Sequence, residues 1–221
     1  MITKQKVNTR EVFGLDQPLN LFSKWLGRVL FYSSASYIVL LVLNVLLSSF
    51  FGFSLTVNYI SDLGSINVIP FPYIHNLICI FGGAVSLPVN FFVRKKLRIV
   101  YKSSRFSLLF VELGVALGVI GNVGYMFLGV FSLDRAGPGD IYHGIITFIS
   151  FGGYILSIFF FSLNIVLSHK CKLKHLGIFG LTIPITLLIV YCALTIPLME
   201  WFLLSSILAF LLLLNYYVFK L

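Results

Sequence analysis

Charged residues are scarce in this sequence. Lys, Arg, Asp and Glu together make up 10% of its 221 residues, whereas 59% of the residues are hydrophobic. A typical soluble domain carries about a quarter charged residues. The chain therefore has too few polar groups to cover a water-soluble core, which excludes an ordinary soluble enzyme or binding domain and indicates an integral membrane protein.

Cysteine is also rare. The chain has three cysteines, Cys79, Cys171 and Cys192, and no CxxC spacing among them. An odd number of cysteines cannot form a complete disulfide framework. The sequence thus excludes a disulfide-stapled scaffold and a CxxC metal or redox motif, and we expect the cysteines to act as small apolar side chains.

Acidic residues are few, with seven Asp and Glu against sixteen Lys and Arg, which gives a formal charge of +9. Such an excess of cations can neutralise nucleic-acid phosphates. Here the cations fall in short clusters between apolar segments, for example at residues 94–98. That placement is typical of membrane topology and anionic lipid, so we predict no nucleic-acid partner.

Apolar segments recur along the chain, each near the ~20 residues that cross a bilayer. The predicted spans are residues 29–51, 72–93, 106–131, 141–167, 176–198 and 201–219. The fold class that follows is all-α, a polytopic membrane protein with a bundle of six transmembrane helices. Residues 29–221 form this transmembrane domain, and residues 1–28 form a basic, amphipathic N-terminal segment.

The cations are distributed unevenly between the connections. Fifteen of the sixteen Lys and Arg residues lie in the two termini and in the second and fourth connections, and Arg135 alone lies elsewhere. Because cytoplasmic connections of membrane proteins are enriched in Lys and Arg, we predict a multi-pass protein of the cell membrane with both termini in the cytoplasm. Residues 54–70, 133–140 and 199–200 then face outward.

Polar residues gather at this predicted outer face. Asp140 and His143 are three positions apart at the start of the fourth span, so they share one helical face. The first, third and last connections bring further acids, Asp62, Asp134 and Glu200, to the same membrane depth. The candidate functional cluster consists of Ser61, Asp62, His75, Asp140, His143 and Glu200.

This cluster has several interpretations. Its acids and imidazoles could hold zinc, with His75, Asp140 and His143 as ligands, or they could form a Ser61-His-Asp relay. Alternatively, the carboxylates cap helix N-termini and the histidines bond loop carbonyls. We predict no cofactor, with zinc as one alternative and a haem between His75 and His143 as another.

Two isolated charges should find partners. Glu112 lies about two turns inside the third span, where an ionisable residue is costly unless it pairs, and Arg105 is a candidate partner. Arg135 is the lone cation of the outer face. Its candidate partners are Asp134, Asp140 and Glu200.

Several short motifs are scattered along the chain: residues 59–64 (YISDLG), Pro70, residues 76–83 with the basic stop after them, residues 113–118 (LGVALG), Gly121 and Asn122, residues 140–143, Phe148, Tyr154 and residues 200–201. In these positions the chain resembles the membrane family that groups FRAG, DRAM and Sfk proteins, whose prokaryotic relatives form a domain family of unknown function. The resemblance implies six spans with polar motifs on the non-cytoplasmic side, and Ser61, Asp62, His143 and Glu200 match the recurrent polar residues of the family.

The eukaryotic members of that family are linked to remodelling of GPI-anchor lipids, autophagy and membrane-lipid organisation, with no reaction common to all. From the outer polar cluster we predict a cavity that binds or remodels a lipid or lipid-linked head group, with membrane lipids as partners. If chemistry occurs there, hydrolysis or acyl transfer with a histidine as general base fits best. The alternative is a non-catalytic accessory subunit that packs against other membrane protein subunits.

The predicted orientation is directly testable with fused reporters. A reporter placed after Arg98, Lys172 or Leu221 should read cytoplasmic, and one placed near Gly137 should read external, because the cations select the cytoplasmic side. A topology-sensitive phosphatase and a fluorescent protein, fused at the same positions, provide opposite signals. A cytoplasmic signal at Gly137 would overturn the orientation.

Overall fold

The computed structural model describes residues 21–101, 104–135, 141–168 and 173–219. Within this part of the chain the long elements are α-helices. In order they are α1 (Leu21–Ser49), α2 (Pro72–Val100), α3 (Arg105–Val130), α4 (Ile141–Leu167), α5 (Lys174–Leu194) and α6 (Pro197–Phe219). Two short 3₁₀ helices, Ile60–Gly64 and Leu133–Arg135, lie in the connections.

Each of the six helices contains a segment long and apolar enough to cross a membrane. Helices adjacent in sequence pack side by side, most extensively α3 with α4 and α2 with α3. The predicted all-α fold with six membrane-spanning helices is therefore confirmed. Of the predicted N-terminal segment, residues 1–20 lie outside the described residues, and residues 21–28 form the first turns of α1.

The last hairpin differs from the predicted one. Its turn lies at Thr195 and Ile196, whereas residues 199–200 already belong to α6. Thr195 has a positive φ of 48°, the left-handed conformation that ends a helix. Pro197 then starts α6, because proline is tolerated at the first helical position, where no intrahelical N–H bond is lost.

Two clusters of buried apolar side chains fill the bundle, one around Phe161 and Phe210 and one around Leu63 and Tyr37. Large apolar side chains also cover the outside of the bundle, and Phe148 is 80% exposed there. A water-soluble protein rarely exposes so much contiguous apolar surface. The helices therefore pack through apolar side chains inside the bundle, and the apolar outer surface is suited to contact with lipid.

Glycines set the closest helix approach. A Cβ atom built on Gly153 of α4 would lie 2.7 Å from the backbone nitrogen of Gly121 in α3, and one built on Gly124 would lie 3.0 Å from the backbone of Ser150. Ser150 Oγ also donates to the Gly121 carbonyl at 3.1 Å. Small residues therefore let α3 and α4 touch backbone to backbone, as in other membrane helix pairs.

Glu112 is neutralised by α2. Its Oε2 accepts a hydrogen bond from Arg94 Nε at 2.7 Å, and its Oε1 lies 3.3 Å from Arg98 Nε. The prediction that Glu112 pairs with Arg105 is wrong. Arg94 and Arg98 lie one turn apart on the neighbouring helix, so they reach both carboxylate oxygens instead. We call this end of the bundle, with residues 94–105, the basic end.

The glycine contact predicts a strong difference between two adjacent positions. Gly153→Ala should destabilise the bundle by ~1–3 kcal/mol, because the new methyl group meets the Gly121 backbone, which cannot rotate away. Gly152→Ala is the matched control, since a Cβ there meets nothing within 4 Å and alanine favours the helix by up to ~1 kcal/mol. Thermal unfolding in detergent measures both variants. Equal stability of the two would contradict the proposed close packing of α3 and α4.

Candidate functional site

The opposite end of the bundle carries Asp62, Asp134 and Glu200, and we call it the acidic end. The first connection folds back over this end through the 3₁₀ helix Ile60–Gly64. Asp62 Oδ2 accepts a hydrogen bond from the Tyr59 backbone N–H at 2.8 Å, so this carboxylate caps its own turn. This contact agrees with the interpretation that Asp62 has a structural, capping role.

Glu200 ties the turn to α6. The residue is 6% exposed, and its Oε2 accepts a hydrogen bond from the Ile60 backbone N–H at 2.8 Å. Beside it, Trp201 Nε1 donates to the Asn58 carbonyl at 3.1 Å. These two side chains satisfy backbone groups that the turn would otherwise bury without partners. Glu200 Oε1 makes no hydrogen bond with the described residues.

His75 is buried in the first turn of α2. Its Nε2 lies 3.4 Å from Cys79 Sγ, one helical turn further along, and its Nδ1 has no hydrogen-bond partner within the described part of the chain. A buried ring nitrogen without a partner is uncommon, because losing hydration without a hydrogen bond costs free energy. His75 therefore has an unused hydrogen-bonding position in the interior.

His143 is held by the end of α3. Its Nδ1 lies 2.8 Å from the Phe131 carbonyl oxygen, which can only accept, so Nδ1 carries the proton. In the neutral ring the other nitrogen, Nε2, is an acceptor, and it makes no hydrogen bond with the described residues. His143 thus has the carbonyl contact expected of a structural histidine, and it keeps one basic nitrogen free.

Four of the six candidate residues line one small cavity at the acidic end. Ser61, His75, His143 and Glu200 surround a space of about 30 Å³, which holds roughly one water molecule. Asp62 does not contribute to its wall, and Asp140 lies outside the described residues. The cavity brings a hydroxyl, two imidazoles and a carboxylate together, which are the groups of acid-base and acyl-transfer chemistry.

A larger groove opens beside this cavity. It runs between α4 and α5 below the first connection, has a volume of about 470 Å³, and is lined mostly by apolar side chains. Ser61, His143 and Glu200 line both the groove and the cavity. We call this space the α4–α5 groove. Its polar end is therefore the mouth of the small cavity.

Several contributors to the site were missed from the sequence. Asn76, Cys79 and Tyr125 also line the cavity. Gly144 and Gly152 leave the floor of the α4–α5 groove open, since a Cβ on either meets nothing within 4 Å. Gly144, Phe148 and Gly152 follow each other at intervals of four residues, about one helical turn each. This spacing in the sequence indicates that the three residues lie on one face of α4.

Asp134 and Arg135 serve the connections and lie outside the walls of both spaces. Asp134 accepts hydrogen bonds from Ser65 Oγ at 2.8 Å and from the Ile66 backbone N–H at 2.7 Å. Arg135 donates to the Gly129 carbonyl and to Ser132 Oγ, each at 3.0 Å. Arg135 makes no ion pair with Asp134 or Glu200, because nearby carbonyl and hydroxyl oxygens bind its guanidinium group instead. The third expected partner, Asp140, lies outside the described residues.

The metal and haem alternatives gain no support from this geometry. Among the described residues, no three His, Cys, Asp or Glu side chains converge as metal ligands would. The predicted ligand set His75, Asp140 and His143 includes Asp140, which lies outside that part of the chain. His75 and His143 share a cavity of about 30 Å³, which is far smaller than a porphyrin.

The Glu200 contact makes a prediction about stability. Glu200→Ala removes the acceptor of the buried Ile60 N–H and should cost ~1–3 kcal/mol. Glu200→Gln keeps an acceptor oxygen at the same place and should cost much less. Thermal unfolding in detergent distinguishes the two. A Glu200→Gln variant as unstable as Glu200→Ala would show that the negative charge itself, rather than the hydrogen bond, holds the turn.

Comparison of the chain with models of protein families, with curated proteins and with solved structures found no match. The resemblance to the FRAG, DRAM and Sfk family therefore stays a prediction. What the helices establish is a polytopic integral membrane protein with six spans.

Proposed function

We propose that this membrane protein binds a lipid at its acidic end, with an acyl chain in the α4–α5 groove and the head group over Ser61, His143 and Glu200. One observation carries the proposal: the same three residues line an apolar groove and a polar cavity. A ligand that fills both spaces must have an apolar part joined to a polar part, as a lipid has.

The size and the walls of the groove support this ligand class. Its volume of about 470 Å³ lies within the ~300–1,000 Å³ that is typical of small-molecule sites. Phe148 and Leu188 supply apolar wall. Gly144 and Gly152 leave room along α4 for a chain to lie against the helix. An acyl chain gains close contact there without displacing any protein side chain.

The polar groups favour a head group that donates hydrogen bonds. Glu200 Oε1 and His143 Nε2 are both acceptors without partners among the described residues, and Ser61 adds a hydroxyl. An amine or a hydroxyl group would satisfy them. If the protein also remodels the lipid, His143 Nε2 is the general base at hand for hydrolysis or acyl transfer.

The membrane side follows from the cation distribution. Fifteen of sixteen Lys and Arg residues fall on the side of the basic end and the termini, which supports a cytoplasmic basic end and an outward-facing acidic end. The lipid would then come from the outer leaflet of the cell membrane. The resemblance to a family linked to membrane-lipid organisation agrees with this proposal.

Filling the groove tests the proposal. Gly144→Leu places a side chain in open space inside the groove, so it should displace the lipid without a clash in the fold. The measurement is native mass spectrometry of the purified protein, with the bound lipid identified after extraction. We expect at least a tenfold loss of bound lipid, because the leucine side chain occupies space that the lipid needs. A tenfold loss corresponds to a decrease of about 1.4 kcal/mol in binding free energy.

Ala193→Leu is the matched control, since Ala193 is exposed on α5 and does not line the groove. It should retain the lipid. Equal retention by both variants would refute the groove as the site. Wild-type protein without lipid but with a stoichiometric second subunit in mild detergent would favour the accessory-subunit function instead.

The polar end is tested separately by His143→Asn. We expect the variant to fold and insert normally and to lose the head-group preference, so that lipids with different head groups bind equally. Mass spectrometry of protein exchanged into mixed lipid measures the preference. An unchanged lipid profile would mean that His143 serves only to bond the Phe131 carbonyl.

A further inference from the structure

A second polar cavity lies deeper in the bundle, away from the acidic end. It has a volume of about 60 Å³ and is enclosed by α1, α2, α3, α4 and α6. Its polar lining consists of serine, asparagine and tyrosine side chains, and no charged residue lines it. We call it the core cavity. Its walls are thus suited to an uncharged polar group.

Among the side chains that line the core cavity, Asn122 has a fully buried donor without a hydrogen-bond partner in the described part of the chain. Tyr37 and Tyr125 share a hydrogen bond of 2.6 Å between their hydroxyl groups. Tyr154 donates to Asn122 Oδ1 at 2.7 Å, but Asn122 Nδ2 has no partner within the described part of the chain. Asn122 is 1% exposed. An amide donor buried in an apolar bundle costs free energy until an acceptor reaches it.

A lipid-facing groove adjoins this cavity. It runs between α1 and α6, has a volume of about 540 Å³ and is almost entirely apolar. Four residues line both the groove and the core cavity: Ile38, Leu204, Leu208 and Leu212. We call this space the α1–α6 groove. A chain lying in the groove is separated from the core cavity only by flexible aliphatic side chains.

The seam between α1 and α6 leads from the lipid-facing surface toward the core cavity. Along it α1 presents exposed side chains such as Val42 and Leu46 to the surroundings, and α1 packs mainly on α2 and α6. Ser205 and Ala209, both small and exposed, line the α6 side of the groove. A narrow chain can therefore approach the core cavity from the side of the membrane.

We propose that the core cavity and the α1–α6 groove together bind an uncharged, single-chain amphiphile, such as a long-chain alcohol or a lipid with a free hydroxyl or carbonyl oxygen. The chain lies in the groove, and the oxygen accepts a hydrogen bond from Asn122 Nδ2. The α4–α5 groove and the α1–α6 groove have no residue in common, and the two cavities share only Tyr125 and Phe151 in their walls, so the chain of this ligand lies in a different groove from that of the proposed lipid.

The chemistry of the cavity sets its selectivity. A charged head group would lose its hydration without meeting an opposite charge, which is costly in an apolar interior. An alkane would leave the Asn122 donor without a partner. The volume of about 60 Å³ admits only a small polar group. These three conditions select a hydroxyl or carbonyl group on a long apolar chain.

Tryptophan quenching tests the proposal. The chain has two tryptophans, and Trp25→Phe leaves Trp201, which lines the α1–α6 groove, as the only reporter. The probe is a long-chain alcohol brominated at mid-chain, added to the full-length protein in detergent. We expect saturable quenching that the unbrominated alcohol reverses. A brominated alkane and a brominated alkyl sulfate of equal length should quench weakly and without saturation.

Two variants identify the polar contact. Asn122→Leu should raise the half-saturating alcohol concentration about fivefold to tenfold, as expected for the loss of one hydrogen bond. Asn44→Leu is the matched control, because Asn44 is also a buried asparagine with an unpartnered Nδ2 but does not line the cavity. It should leave the quenching curve unchanged. Thermal unfolding verifies that both variants fold.

If Asn122→Leu does not fold, Ala209→Phe provides the second route. Ala209 is exposed in the α1–α6 groove, so a phenylalanine fills the groove without disturbing the core, and saturable quenching should disappear. Quenching by the alkane as strong as that by the alcohol would overturn the proposal. So would equal curves for Asn122→Leu and Asn44→Leu.

Discussion

The need to satisfy every polar group without water governs this structure. In a bilayer, backbone N–H and carbonyl groups must bond within the protein, so the spans are helices and the connections are bonded to side chains. Glu200 holds the Ile60 N–H, and Asp134 holds the Ile66 N–H. The few acidic residues at this end therefore act first as anchors for backbone. A functional site at this end has to use the hydrogen-bonding groups that are not already bonded to the backbone.

Some of the hydrogen-bonding groups without partners in the described part of the chain lie beside the two polar cavities. At the acidic end, His75 Nδ1 and the second ring nitrogen of His143 remain without partners among the described residues. In the core cavity, Asn122 Nδ2 also has no hydrogen-bond partner among the described residues. Tyr125 lines both spaces, and its hydroxyl group is hydrogen-bonded to that of Tyr37. Two polar spaces, each beside its own apolar groove, fit a protein whose ligands arrive from the membrane.

The candidate site was predictable in part. The distribution of cations and acids along the chain indicated which connections share an end of the bundle, because successive spans alternate in direction. It could not distinguish Asp62, which caps its own turn, from Ser61 next to it, which faces the cavity. Adjacent residues of a 3₁₀ turn point in different directions, and their orientation depends on the helices beneath. The partners of Glu112 were misassigned for the same reason, since they belong to the neighbouring helix.

By itself, the sequence determined the number of spans and their approximate limits, because apolar length and helix-ending residues are local properties that any bilayer reads in the same way. The tertiary structure alone decided which polar atoms are left without partners and where the grooves open. The Gly153 contact with Gly121 brings α3 and α4 together, while Gly152, one residue earlier, faces open space. Both are glycines in one helix, and only the rotation of α4 against its neighbours decides that one makes a packing contact and the other lines the α4–α5 groove.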